Sequence, residues 1–250
     1  MASTALAAAV DRVRTVFAGM TSPNETGCTH CYGEEEIALL RTPDEPLPED
    51  LMISFVHKTP DHFTDHPAAF RRLLPQFTAY LASGRFEALG YGSIGHGRTG
   101  WHSWPEQQAT AVDQFLNVWW LDTLATASPA NSVDAVFAAC ADLRGTVTPM
   151  LDRWAAQPVG SLADAHLVET IDHWIDDLIN DCLQRVTSSW YWFDREEPLA
   201  EIQAWVLAHA PARLWARNAD PLLHFKIGLL ALPYDGRWSE DVWANAPSTS

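Results

Sequence analysis

The chain has 250 residues, room for one large domain or two small ones, and its 47% hydrophobic and 19% charged residues exclude a disordered polymer. Its 16 Lys+Arg against 32 Asp+Glu leave a formal charge of −16, which repels nucleic acid and anionic membrane surfaces. The same charge favours a basic protein as partner.

The N-terminus carries no cation before Arg12 and no long apolar run with a cleavage site, so it reads as the start of a helix rather than a secretory leader. Leu6, Val10, Val13, Phe17 and Met20 recur at helical spacing. No segment reaches the roughly 18 apolar residues of a membrane span. Four cysteines are too sparse for a disulfide framework, and a cytoplasmic location is expected.

A loop over 21–33 then carries Cys28 and Cys31. Short helices are predicted for Glu34–Arg41 and Pro48–His57, and a stronger one for His66–Ser83, with Phe70, Leu73, Leu74, Phe77 and Leu81 on its apolar stripe. A glycine-rich loop covers Gly90–Gly100. Ser103-Trp104-Pro105-Glu106 has the pattern of a capping box opening a helix that runs to about Thr126.

The second half repeats the pattern. One long helix is predicted from Val133 to Trp154, bent before Pro149, and another from about Leu167 to Val186, with Cys140 and Cys182 on apolar faces. Trp190-Tyr191-Trp192-Phe193 reads as an aromatic plug between helices. Helices at Pro198–His209 and Pro221–Leu232 follow, and the tail over 233–250 reads as irregular. Periodicity thus predicts an all-α fold of about ten helices, a single domain over residues 1–232. Its helices form either stacked hairpins of the HEAT type, whose period is about 40 to 47 residues, or a compact bundle.

Cys28-Thr29-His30-Cys31 is the motif richest in chemistry. Two thiols separated by two residues can grip one Zn²⁺, and the His62-x3-His66 pair downstream has a spacing that suits the remaining positions. A structural zinc on Cys28, Cys31, His62 and His66 is the expectation, with His30 and His57 as spare donors. His166, Glu169, His173 and Asp177 line one helix face opposite Ile171, Ile175 and Leu178, so a solvated face is the simpler reading. His96 and His102 flank Trp101. Gly90-Tyr91-Gly92-Ser93-Ile94-Gly95 matches a dinucleotide fingerprint in letters only, because a helix and not a strand precedes it.

Cys28-Thr29-His30-Cys31, Phe70-Arg71-Arg72-Leu73-Leu74-Pro75 and Trp104-Pro105-Glu106 with Trp119-Trp120 together resemble a group of uncharacterised helical bacterial proteins that share a Cys-x-His-Cys motif near the start. The resemblance spans about residues 28–120, with the glycine-rich loop departing from it. It implies a helical cytoplasmic protein and carries no activity. The reading that follows is an acidic helical protein-interaction module with a structural zinc site. A metal-dependent enzyme using clustered histidines and acids is the alternative.

Overall fold

Ser3 Oγ accepts the Leu6 N–H at 3.1 Å and opens the first helix, α1 (Thr4–Val16), whose stripe of Leu6, Val10 and Val13 is buried. The computed structural model describes residues 3–85, 99–183, 186 and 196–247. Among these residues the fold is all-α, with eleven helices, short 3-10 turns and no strand. No helix among them is long and apolar enough to cross a membrane. The aromatic run at 190–193 and the glycine cluster at 90–95, with His96, lie outside the described residues.

The packing of the chain, read from sequence as one domain over 1–232, falls into two units: residues 1–123 with 129–143, and residues 124–128 with 144–250. In the first unit α1 packs along α4 (His66–Ala82), flanked by α2 (Glu34–Arg41) and α3 (Glu49–Val56). Glu36 turns back to accept the Gly33 N–H at 2.8 Å, which starts α2. Asp65 caps α4 by accepting the Ala68 N–H at 3.0 Å, and Pro67 suits its first turn. The connection between α2 and α3 is bound to α4: Arg72 Nε donates to Thr42 O at 2.8 Å, and Gln76 exchanges two bonds with the Leu47 backbone. The core contains Phe17, Phe55, Phe70, Phe77, Phe115, Trp120 and Phe137, each 1% exposed or less. It takes in the greater part of α5 (Glu106–Ala125) and α6 (Val133–Arg144).

In the second unit α8 (Leu162–Ile179), α9 (Glu196–Ala216) and α10 (Pro221–Leu229) pack on one another, and α7 (Thr148–Ala155) on α9. Trp154 sits at their centre, edge-on to Trp174 with centroids 6.4 Å apart and 5.8 Å from Trp205. Its indole N–H donates to Ala163 O at 3.0 Å. Asp164 and Arg213 form a buried ion pair at 2.7 Å, and Arg213 Nη2 also donates to Ala155 O and Gln157 O.

Several boundaries differ from the sequence reading, each for a local reason. The helix expected over 133–154 is two, because Gly145 adopts φ 70° and ends α6 before α7 begins. Ser103 sits in a 3-10 turn and its hydroxyl donates to Gly100 O at 2.7 Å, so it does not cap α5. The helix expected to reach Val186 stops at Ile179, where Asp181 takes φ 51° and Arg237 donates to the free carbonyl of Ile179 at 2.9 Å. Cys182 is therefore a half-exposed residue past a helix end, not part of an apolar face. Beyond Pro233 the chain makes a 3-10 turn at Tyr234–Trp238 and one further turn, α11 (Glu240–Trp243), where an irregular tail was expected.

Candidate metal centre

The centre is built from two loops of the first unit that flank the N-terminal end of α4. The Cys28 carbonyl accepts from Cys31 N at 2.9 Å and from Tyr32 N at 3.0 Å, so the chain makes one tight turn with both thiols on it. The second loop is the 3-10 turn at Pro60–His62. It brings His62 Nδ1 to 3.6 Å from Cys31 Sγ. The Cys28, Cys31 and His62 donor atoms all lie within 4.8 Å of one another, the one such group among the described residues. All three residues are half-buried.

Those distances suit a transition metal. Zinc bonds of about 2.3 Å to sulfur and 2.0–2.1 Å to nitrogen, opened to the tetrahedral angle, put the two donors about 3.6 Å apart. The Cys31–His62 separation has that value. Two thiolates and an imidazole are a borderline-soft set that suits zinc and disfavours magnesium or calcium.

Glu25 sets the relation between the loops. Its buried carboxylate accepts from Gly27 N at 2.9 Å on its own loop, and from Thr64 N at 2.7 Å and Asp65 N at 3.2 Å on the other. Ser22 Oγ adds a fourth donor at 3.2 Å. Burial raises its pKa, but the donors of Thr64, Gly27, Asp65 and Ser22 together outweigh burial and hold it below the ordinary 4.5. The Thr26 and Thr64 hydroxyls meet at 2.8 Å beside it. Gly27, at φ 60°, lets the chain turn from Glu25 into Cys28; a Cβ there would lie 2.1 Å from Ile37 Cδ1. The loops are thus joined by hydrogen bonds that need no ion.

The surroundings favour a thiolate at Cys28. Cys28 is pulled down to about 7, first by the His30 N–H, then by His62, the Cys31 side chain and the Cys31 N–H. Lys58 Nζ lies 3.5 Å from Cys31 Sγ. Tyr32, whose hydroxyl donates to Ser54 O at 3.1 Å, is pushed up to about 12 by burial and then by the charges of Cys31, Glu36 and Cys28. Its ring starts a row that continues through Phe55, Phe63, His66 and Phe70, at centroid distances of 4.5, 6.2, 5.3 and 4.6 Å. Two members of that row, Tyr32 and Phe63, are sequence neighbours of the candidate donors Cys31 and His62, so packing fixes both loops at the donors.

The other histidines are placed elsewhere. His66 is not in the donor group: at the first position of α4 it is 4% exposed, its ring between Phe63 and Phe70. The spacing His62-x3-His66 suits zinc only within one helix turn, and here a helix start falls between the two. His30 is exposed, and His57 is half-buried with its pKa lowered by burial; neither joins the group. His102 lies against Trp101, with ring centroids 3.7 Å apart. On α8, His166 is buried with Nε2 2.8 Å from Thr126 O, while Glu169 and His173 are exposed, and these residues form no metal-donor group. Glu25 and Lys58 escaped the sequence reading. One is an acid among many in an acidic chain; the other had a signal, being one of two lysines. No protein-family model, no curated protein and no solved structure matches this chain, so its chemistry has to be read from Cys28, Cys31, His62 and what surrounds them.

Proposed function

We propose that this is an acidic helical protein that binds zinc through Cys28, Cys31 and His62 and acts by engaging a basic protein partner. The observation that carries the metal half is the convergence of three soft donors from two loops, with Cys31 and His62 at the separation a tetrahedral ion requires. The ion closes a clasp that Glu25 already aligns, and its role is to stiffen the loop over 22–33 against α4. The charge of −16 supports the partner half, because it attracts cations over about a Debye length, roughly 8 Å at physiological salt.

Elemental analysis of purified wild-type protein and of a Cys28→Ser, Cys31→Ser variant tests the metal half. One zinc per wild-type chain and none in the variant is the expected outcome; equal metal in both sinks it. Titration with a lysine- and arginine-rich polypeptide at low and high salt tests the partner half, which requires binding that weakens as salt rises.

Metal-dependent catalysis is a second reading with one observation in its favour. All three donors are half-buried rather than sealed, and a Cys₂His set with an open fourth position is one that catalytic zinc uses. Cobalt substitution separates the two. A visible spectrum that shifts on adding cyanide or azide supports the enzyme reading, and an unmoved spectrum supports a closed structural ion.

A further inference from the structure

Zinc and disulfide chemistry compete for the same two sulfurs. Cys31 N donates to Cys28 O at 2.9 Å, and the two Sγ atoms lie within 4.8 Å of each other. A tetrahedral zinc with bonds of about 2.3 Å holds two sulfurs about 3.8 Å apart. A disulfide needs about 2.05 Å, with Cα atoms less than about 7 Å apart, the span of a hydrogen-bonded turn. Rotation of the two side chains within this turn takes the sulfurs from one arrangement to the other. Both residues are half-buried and open to a small oxidant, whereas Cys140 is fully buried. The loops stay joined in either state, since Glu25 and the Thr26–Thr64 pair hold them without sulfur or ion.

We propose that Cys28 and Cys31 are a redox-modification site at which a peroxide converts the zinc-binding dithiol into a disulfide and discharges the ion, with the fold kept. The proposal rests on the zinc reading above. In the first step the Cys28 thiolate attacks one peroxide oxygen, breaking the O–O bond and leaving a sulfenic acid and hydroxide. The Cys31 thiolate then attacks the Cys28 sulfur, forms the S–S bond and expels a second hydroxide. Two electrons pass from the sulfurs to the peroxide, the two hydroxides take up protons to become water, and zinc, left with His62 alone, departs as the hydrated ion.

The test uses full-length, zinc-loaded protein carrying Cys140→Ser and Cys182→Ser, treated with one equivalent of hydrogen peroxide beside a chromophoric zinc chelator. The expected result is one zinc released per disulfide formed, a product two hydrogens lighter than the reduced apoprotein, a Cys28–Cys31 link on peptide mapping and an unchanged helical circular dichroism spectrum. Dithiothreitol and added zinc then restore the starting state. Retention of zinc under peroxide, or release with sulfinic acid in place of the disulfide, overturns the proposal, as does loss of helix on oxidation. If the reduced protein takes up no zinc, the metal reading and the discharge step fall together, and the mass measurement alone decides whether the disulfide forms.

Discussion

The Glu25 carboxylate accepts the Thr64 N–H at 2.7 Å across 39 residues of chain, and so ties the turn that carries Cys28 and Cys31 to the turn that carries His62. It is the contact on which the geometry of the centre most depends, because the same carboxylate also takes Gly27 N and Asp65 N. Groups that orient ligands in this way typically alter metal affinity by about 10- to 100-fold when removed.

Glu25→Gln keeps the shape and loses the charge, so zinc affinity should fall by about tenfold and stability at neutral pH by about 2 kcal/mol. The pH dependence follows from the lowered pKa. A carboxyl whose folded value is depressed stabilises above its unfolded value of about 4.5, and that stabilisation is lost as pH falls through the folded value. The difference between wild type and variant, measured by urea denaturation, should therefore shrink steadily below that pH. A constant difference down to strongly acid pH would contradict the assignment.

Gly27→Ala places a methyl where Ile37 Cδ1 stands, at a φ of 60° that alanine resists. Either the Ile37 side chain or the turn must give way, and a shifted turn carries Cys28 with it. Zinc binding should weaken more than the global fold does, which a competition titration with a coloured chelator and a thermal melt on the same sample would compare. Unchanged affinity would mean that the turn does not position Cys28.

His62→Ala should abolish tight zinc binding, since it removes one of three donors. His66→Phe, which fills the same place between Phe63 and Phe70, should leave the metal in position. Because protons compete with zinc for the thiolates, zinc affinity in wild type should weaken progressively as pH drops below about 7, the value to which Cys28 is lowered. Metal analysis after dialysis over a pH series checks both. Loss of zinc in the His66 variant with retention in the His62 variant would reverse the ligand assignment.

Arg213→Met tests the second unit independently. Arg213 is paired with buried Asp164 and also satisfies Ala155 O and Gln157 O, so its loss takes the counter-charge from a buried carboxylate, which keeps the Gly160 N–H, and a donor from two carbonyls. Breaking such a pair costs about 3–5 kcal/mol, which chemical denaturation should register while zinc content stays at the wild-type level.

The letters alone were enough for the helical class and much of its punctuation. Glu34–Arg41 was legible to the residue, and α4 nearly so, because a helix stripe repeats every three to four residues and caps lie within one turn of it. Cys28 and Cys31 stood out as candidate donors for the same local reason, two thiols within one turn, whereas His62 was singled out by its spacing to His66, which does not join the group. Where a backbone sign decides, the pattern misled; Gly145 and Asp181 end helices whose apolar periodicity runs on past them. Only the tertiary structure could separate His62 from His66, since a helix start between them turns one ring to the thiols and the other into an aromatic row. The same holds for Glu25 and Lys58, whose partners lie 27 to 40 residues away. Contacts at that separation depend on the path of the loops, which the packing of α1, α2, α3 and α4 directs and no local repeat encodes.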